Sequence, residues 1–269
     1  MPAIQKTSAR TNWRVWAWKK RVEPPNFIGA DKKDSTMTGQ TISLTASDGS
    51  GSFDSYLTGP TDGQSPAIIL LHEIYGVTGW VTETADLFAE RGYTVAAPDM
   101  FWRLEPNFTA DHRDSASRDK GLRYRGMIDR DKAVDDIAAL IGHLTSLPGY
   151  NGKIGVTGFC MGGTLTYLAA TRLKIDAAVA YYGTQIHEHL HEAANISCPT
   201  MLHMGDRDDH VPEELAVTIR DALAGLPDVT IHRYDAGHAF CNTHRDDHYQ
   251  KEPSDLSHAR TFEVFDRLR

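Results

Sequence analysis

Residues Gly158-Phe159-Cys160-Met161-Gly162-Gly163 constrain the fold of this chain more than any other stretch. They follow an apolar run, 154–157, and open a helix-forming run, 164–172. Glycines two positions before and two after a central Cys make the G-x-C-x-G pattern of a sharp strand-to-helix elbow. Such an elbow strains the central residue, and side chains at its flanks would strike the adjoining strand and helix. The thiol then lies at a helix N-terminus, where free amides and the dipole favour a thiolate. Cys160 is therefore a candidate nucleophile.

The pattern around the elbow alternates. Residues 41–46 and 51–57, joined by Ser47-Asp48-Gly49, read as an antiparallel hairpin with its turn at Asp-Gly. Continuous apolar runs at 67–71 and 93–97 read as strands covered on both faces, with a helix over 82–91 closed by Gly92 between them. A long polar connection precedes an amphipathic helix over 129–147, with Ala133, Ile137, Leu140, Ile141 and Leu144 on one face. Strands follow at 154–156, 177–182, 200–204 and 229–234, with helices at 213–224 and 255–268. Strands alternating with helices predict an α/β fold: one domain, 37–269, with a mainly parallel, doubly wound sheet covered by helices on both faces.

The first 36 residues stand apart. They carry eight Lys or Arg against three acids, a net +5 in a chain whose total is −8, and they hold Trp13, Trp16 and Trp18. We expect a disordered extension, or an upstream start ahead of Met37, rather than part of the fold. The acidic remainder argues against nucleic acid and membrane partners. Three cysteines are too few for a disulfide framework and point to a reducing compartment, the cytoplasm.

In a doubly wound sheet, functional groups gather at the carboxyl ends of the strands. After 200–204 comes Gly205-Asp206-Arg207-Asp208-Asp209-His210-Val211-Pro212, and after 229–234 comes Asp235-Ala236-Gly237-His238-Ala239-Phe240. The chain order is thus nucleophile, acid, histidine: Cys160, one of Asp206, Asp208 or Asp209, then His238. The imidazole would take the thiol proton while the carboxylate fixes its tautomer.

With these segments in place, the chain resembles the dienelactone hydrolase (carboxymethylenebutenolidase) family of the α/β-hydrolase superfamily. The likeness rests on His72-Glu73-Ile74-Tyr75-Gly76-Val77, Pro98-Asp99-Met100-Phe101-Trp102-Arg103, the Cys160 elbow, the Asp208 loop and Ala236-Gly237-His238-Ala239-Phe240. It implies hydrolysis of a lactone or ester through an acyl-enzyme, without cofactor or metal. A broader carboxylesterase or thioesterase on the same residues is the alternative. It selects Asp208, four residues before Pro212, as the acid. Glu73 would contact the resting thiol and help activate it when substrate arrives, and the N–H groups of Met161 and Ile74 would form the oxyanion hole. Arg103 matches an arginine that grips the substrate carboxylate. Asn242 stands where the family carries a second arginine, and Ala239 where a hydroxyl is common. Trp102, Tyr75 and Phe240 are expected to line the pocket with Asn242. The implied partner is a small lactone or ester, the protein being a monomer or weak homodimer.

A rival motif is His187-Glu188-His189-Leu190-His191, an H-E-x-x-H match to a zinc peptidase. No third ligand is implied by spacing, and His244 and His248 read as solvated.

Overall fold

The computed structural model of the protein describes residues 39–60 and 63–269. The expectations for 1–36, and for a boundary at Met37, lie outside these residues. The frame is an eight-stranded sheet of order β1-β2-β4-β3-β5-β6-β7-β8. Its members are β1 (Gln40–Thr45), β2 (Ser52–Thr58), β3 (Ser65–Leu71), β4 (Thr94–Pro98), β5 (Tyr150–Phe159), β6 (Ala177–Tyr181), β7 (Thr200–Gly205) and β8 (Val229–Tyr234). β2 runs antiparallel to β1 and β4, and all other pairs are parallel. This is the mainly parallel α/β sheet that the alternating pattern predicts.

The hairpin forms as read. Thr45 faces Ser52 across the ladder, and Gly49 occupies the left-handed region at φ 70°, which a glycine enters without steric cost. Every residue of β3 and β6 is buried, as unbroken apolar runs require of strands covered on both faces. Helix α1 (Gly79–Ala89) packs through Phe88 on Phe262 and Phe265 of α6 (Lys251–Phe265), which places both on one face. Helices α3 (Arg130–Thr145) and α4 (Met161–Arg172) contact each other and β5 on the other. α5 is Glu213–Leu223.

One element differs from expectation. The polar connection after β4 contains a 13-residue helix, α2 (Ser115–Met127). Its N-cap is Asp114, whose carboxylate accepts from the N–H groups of Ala116 (3.3 Å) and Ser117 (3.1 Å), satisfying two of the amides that a helix start leaves free.

The chain runs outward from β3 to β4 on one side, then returns to β5 on the other. The sheet therefore has its topological switch point between β3 and β5, where crevices open at the carboxyl ends. Cys160 directly follows β5, and Glu73 lies two residues beyond β3.

Candidate active site

The elbow explains its own glycines. Cys160 has φ 56° and ψ −114°, a region an L-residue enters only when surroundings hold it there. A Cβ on Gly158 would lie 2.4 Å from the Gly162 carbonyl oxygen, and one on Gly162 would lie 2.2 Å from that of Leu71. At Gly163 the obstacle is the Tyr181 carbonyl oxygen, at 2.5 Å. The Cys160 N–H donates to that same Tyr181 oxygen at 3.0 Å. Met161 opens α4, so its N–H is one of those without an intrahelical acceptor.

His238, Asp208 and Cys160 come together from three strand ends, each more than nine-tenths buried. His238 Nδ1–H donates to Asp208 Oδ2 at 2.8 Å. The other carboxylate oxygen, Oδ1, accepts from the N–H groups of His210 (2.8 Å) and Val211 (3.2 Å). Burial opposes ionisation of Asp208, but the His238 hydrogen bond and these amides outweigh it and hold the carboxyl below its ordinary range. Asp206 pairs instead with Arg233 at 2.5 Å, and Asp209 is exposed. Of the three candidate acids, only Asp208 reaches the imidazole. Burial also pulls the His238 pKa down, yet attraction to Cys160 and the Asp208 bond raise it to about 10.

Glu73 is buried beside the thiol's cleft, and burial raises its pKa. Its Oε2 accepts from Asn242 Nδ2 at 2.9 Å, while Oε1 has no hydrogen-bond partner among the described residues. The carboxylate thus hydrogen-bonds Asn242 while lining the same cleft as Cys160. The turn carrying Glu73 is pinned by buried His72, whose Nε2 accepts from the Met100 N–H (3.0 Å) and whose Nδ1–H donates to the Glu73 carbonyl (2.5 Å).

A narrow cleft opens onto Cys160, lined by Glu73, Ile74, Tyr75, Leu122, His210 and His238 among others. Three arginines also line it: Arg118 and Arg125 from α2, and Arg245 from the segment after His238. Arg245 Nη1 donates to the Tyr75 hydroxyl at 3.1 Å, and its buried Nε has no partner among the described residues. A larger cavity of about 330 Å³ lies at the amino ends of β3, β4 and β5, bordered by Ser65, Thr94 and Tyr150. That end of a parallel sheet seldom carries chemistry, and no nucleophile comparable to Cys160 borders it.

Of the expected pocket residues, Tyr75 lines the cleft, and Asn242 lies behind it on Glu73. Arg103, Trp102 and Phe240 do not line it. Arg103 is held by Asp136 (2.7 Å) and Asp48 (3.0 Å) and lies over the Trp102 ring. Trp102 Nε1–H donates to the same Asp136 at 2.8 Å. Both side chains are thereby turned toward α3, where their polar atoms are already satisfied. Phe240 is core, wedged against Tyr182 and Tyr234 with centroids 5.3 Å away in each case.

Several residues in or against the cleft carried no sequence signal. Tyr182, just past β6 at φ 37°, meets the His238 ring edge-on at 5.0 Å. His210 does the same at 4.4 Å. His248 lines the cleft instead of being merely solvated, while His244 pairs with Glu83. His187, Glu188 and His191 lie on a 3-10 segment, Ile186–Asn195, kinked at His189. That geometry denies the two imidazoles the shared α-helical face a zinc pair needs. Among the described residues no helix is long and apolar enough to cross a membrane.

A sharp elbow after the central strand β5, with an acid after β7 and a histidine after β8, defines an α/β-hydrolase. Residues 53–268 match the dienelactone hydrolase family, and the chain belongs to it. It is 28% identical over 233 residues to carboxymethylenebutenolidase 1 of Cupriavidus pinatubonensis, covering 87% of this chain and 99% of the relative. With the carboxymethylenebutenolidase of Pseudomonas sp. strain P51 the identity is 31% over 221 residues, covering 82% and 92%. A dienelactone hydrolase-like promiscuous phosphotriesterase from metagenomic libraries superposes with a TM-score of 0.73 at 22% identity, covering 86% of this chain and 98% of that one. The protein is a hydrolase acting on ester or lactone bonds.

Proposed function

We propose that the protein hydrolyses a carboxylate-bearing lactone or ester through an acyl-enzyme on Cys160, in the manner of the carboxymethylenebutenolidases it resembles. The observation that carries this reading is the juxtaposition of the strained Cys160 with a buried His238 whose far nitrogen is fixed by Asp208 at 2.8 Å. His238 Nε2 takes the thiol proton and Sγ attacks the carbonyl carbon. The oxyanion is met by the N–H groups of Met161 and Ile74. The C–O bond then breaks as His238 returns that proton to the leaving oxygen, which in a lactone stays tethered to the acyl group. Water adds to the thioester, His238 relays its proton, and Sγ leaves as the carboxylate product forms.

The substrate carboxylate is held by Arg245 and Arg118, both of which act electrostatically on Tyr75 at one wall of the cleft. Arg245, three residues beyond Asn242, restores the cation that Asn242 lacks, and Arg103 has no part in it. Glu73 moves toward the thiol when the incoming carboxylate draws Arg245 away, which links activation to substrate binding.

Cys160→Ala is expected to abolish hydrolysis of 4-nitrophenyl acetate while leaving the circular dichroism spectrum and melting temperature close to wild type. Rapid-quench mass spectrometry of the wild type should trap one acyl group on Cys160. Retained turnover in the variant, or acylation elsewhere, sinks the reading.

A further inference from the structure

The inward stripe of α2 carries more positive charge than one substrate carboxylate requires. Arg118, Gly121, Leu122 and Arg125 are spaced i, i+3, i+4 and i+7, so they share one helix face. That face is clamped onto the turn after β3: a Cβ on Gly121 would lie 2.3 Å from the Ile74 carbonyl oxygen. Arg118 and Arg125 therefore flank the turn bearing Ile74, about two helical turns apart, and both line the Cys160 cleft. Among the described residues neither has a carboxylate at salt-bridge distance. Arg103, Arg172 and Arg233 are each held by two.

The two side chains serve different walls. Arg118 acts on Tyr75, as Arg245 does. Arg125, about two helical turns further along α2, lines the cleft together with His210 of the acid loop, whose ring leans on His238. We propose that Arg125, with His210 beside it, forms a second anion subsite, so that the preferred substrate carries two carboxylates, one at each wall of the cleft. This rests on the reading of Cys160 as the nucleophile of an ester hydrolase. A planar guanidinium suits a carboxylate because its paired N–H groups match the two oxygens. A singly charged substrate would leave Arg125 without a counter-charge in a cleft that already holds two other arginines.

The test uses 4-nitrophenyl monoesters of acetic, succinic and tricarballylic acid, which carry no, one and two free carboxylates. In the wild-type protein kcat/KM should rise at each step, by about tenfold at the second, the ratio worth ~1.4 kcal/mol. Arg125→Gln should remove most of the second step and keep the first. Arg123→Gln, exposed on the outer side of α2, should keep both. A wild-type second step near one, or an Arg125→Gln loss equal at both steps, overturns the subsite. Calorimetric titration with tricarballylate and with succinate makes the same comparison without turnover. If no ester is cleaved, the hydrolase reading falls, and the subsite stands only if tricarballylate binds the wild type more tightly than succinate and Arg125→Gln erases that difference.

Discussion

Helices α2 and α3 follow one another along the chain, separated by Ile128 and Asp129, and they begin alike. Asp114 caps α2, and Asp129 caps α3 by accepting from the Asp131 and Lys132 N–H groups. Their inward stripes part company. α3 buries Ala133, Val134, Ile137, Leu140 and Leu144, whereas in α2 only Gly121 is buried. One helix is held mainly by apolar area removed from water; the other is held by its cap, the glycine contact and the packing of Tyr124 on Phe101 and Phe108, and turns the rest of its inner face to a cleft. The same local chemistry starts both helices, and what each faces decides which residues the inner stripe can carry.

The largest expected difference comes from deleting the same side chain in each. Leu140 is fully buried, so Leu140→Ala should cost about 2–5 kcal/mol of stability. Leu122 is half-buried at the cleft, and Leu122→Ala should cost under about 1 kcal/mol. Urea unfolding measures both. Equal losses would show that α2 is a core helix after all.

That contrast also explains what was legible from sequence. The period of 3.6 that marks a helix is a record of burial, so α3 announces itself and α2 does not. Asp114, followed by Ser115-Ala116-Ser117, was the only signal α2 offered, and a cap without an apolar stripe reads as a loop. The same logic separates the site residues. Cys160 and His238 were legible because their positions follow from strand ends and glycines, whereas spacing left Asp206, Asp208 and Asp209 open and only the family resemblance singled out Asp208. Arg103 sits in an equally suggestive place after β4, but Asp136 of α3, unseen from local sequence, takes its guanidinium. Arg118, Arg125 and Arg245 are ordinary surface letters until the fold turns them inward. Tyr182 needs its left-handed backbone, which a tyrosine seldom adopts, to meet His238.

A second, smaller effect should separate the helices by activity instead of stability. Gly121→Ala adds a Cβ that would crowd the Ile74 carbonyl at 2.3 Å, so the backbone there must shift. Ala is the better helix former by about 1 kcal/mol, which offsets the strain in unfolding measurements. If the Ile74 amide is the oxyanion donor proposed above, its movement misaims that donor, and the expected cost is about tenfold or more in kcat with little change in melting temperature. Unchanged kcat would mean that α2 does not set the position of that turn.

The smallest effect asks whether the cleft side of the molecule gives up stability that the core side keeps. Burial raises the pKa of Glu73 above its ordinary value of 4.5. A carboxyl with a raised folded-state pKa binds protons more tightly folded than unfolded. Its contribution is therefore nil well below pH 4.5, becomes destabilising as pH rises from there toward the raised folded pKa, and is fully expressed above it. Glu73→Gln removes the charge and keeps an oxygen to accept from Asn242 Nδ2. It should raise the melting temperature at pH 8 by about 2–4 °C, the shift that ~1 kcal/mol makes in a domain of this size. At a pH well below 4.5 the gain should shrink toward zero, because wild-type Glu73 is then protonated in both states. A gain equal at the two pH values would point to packing rather than charge. A loss at pH 8 would mean that Arg245 and Asn242 repay the burial of the carboxylate in full.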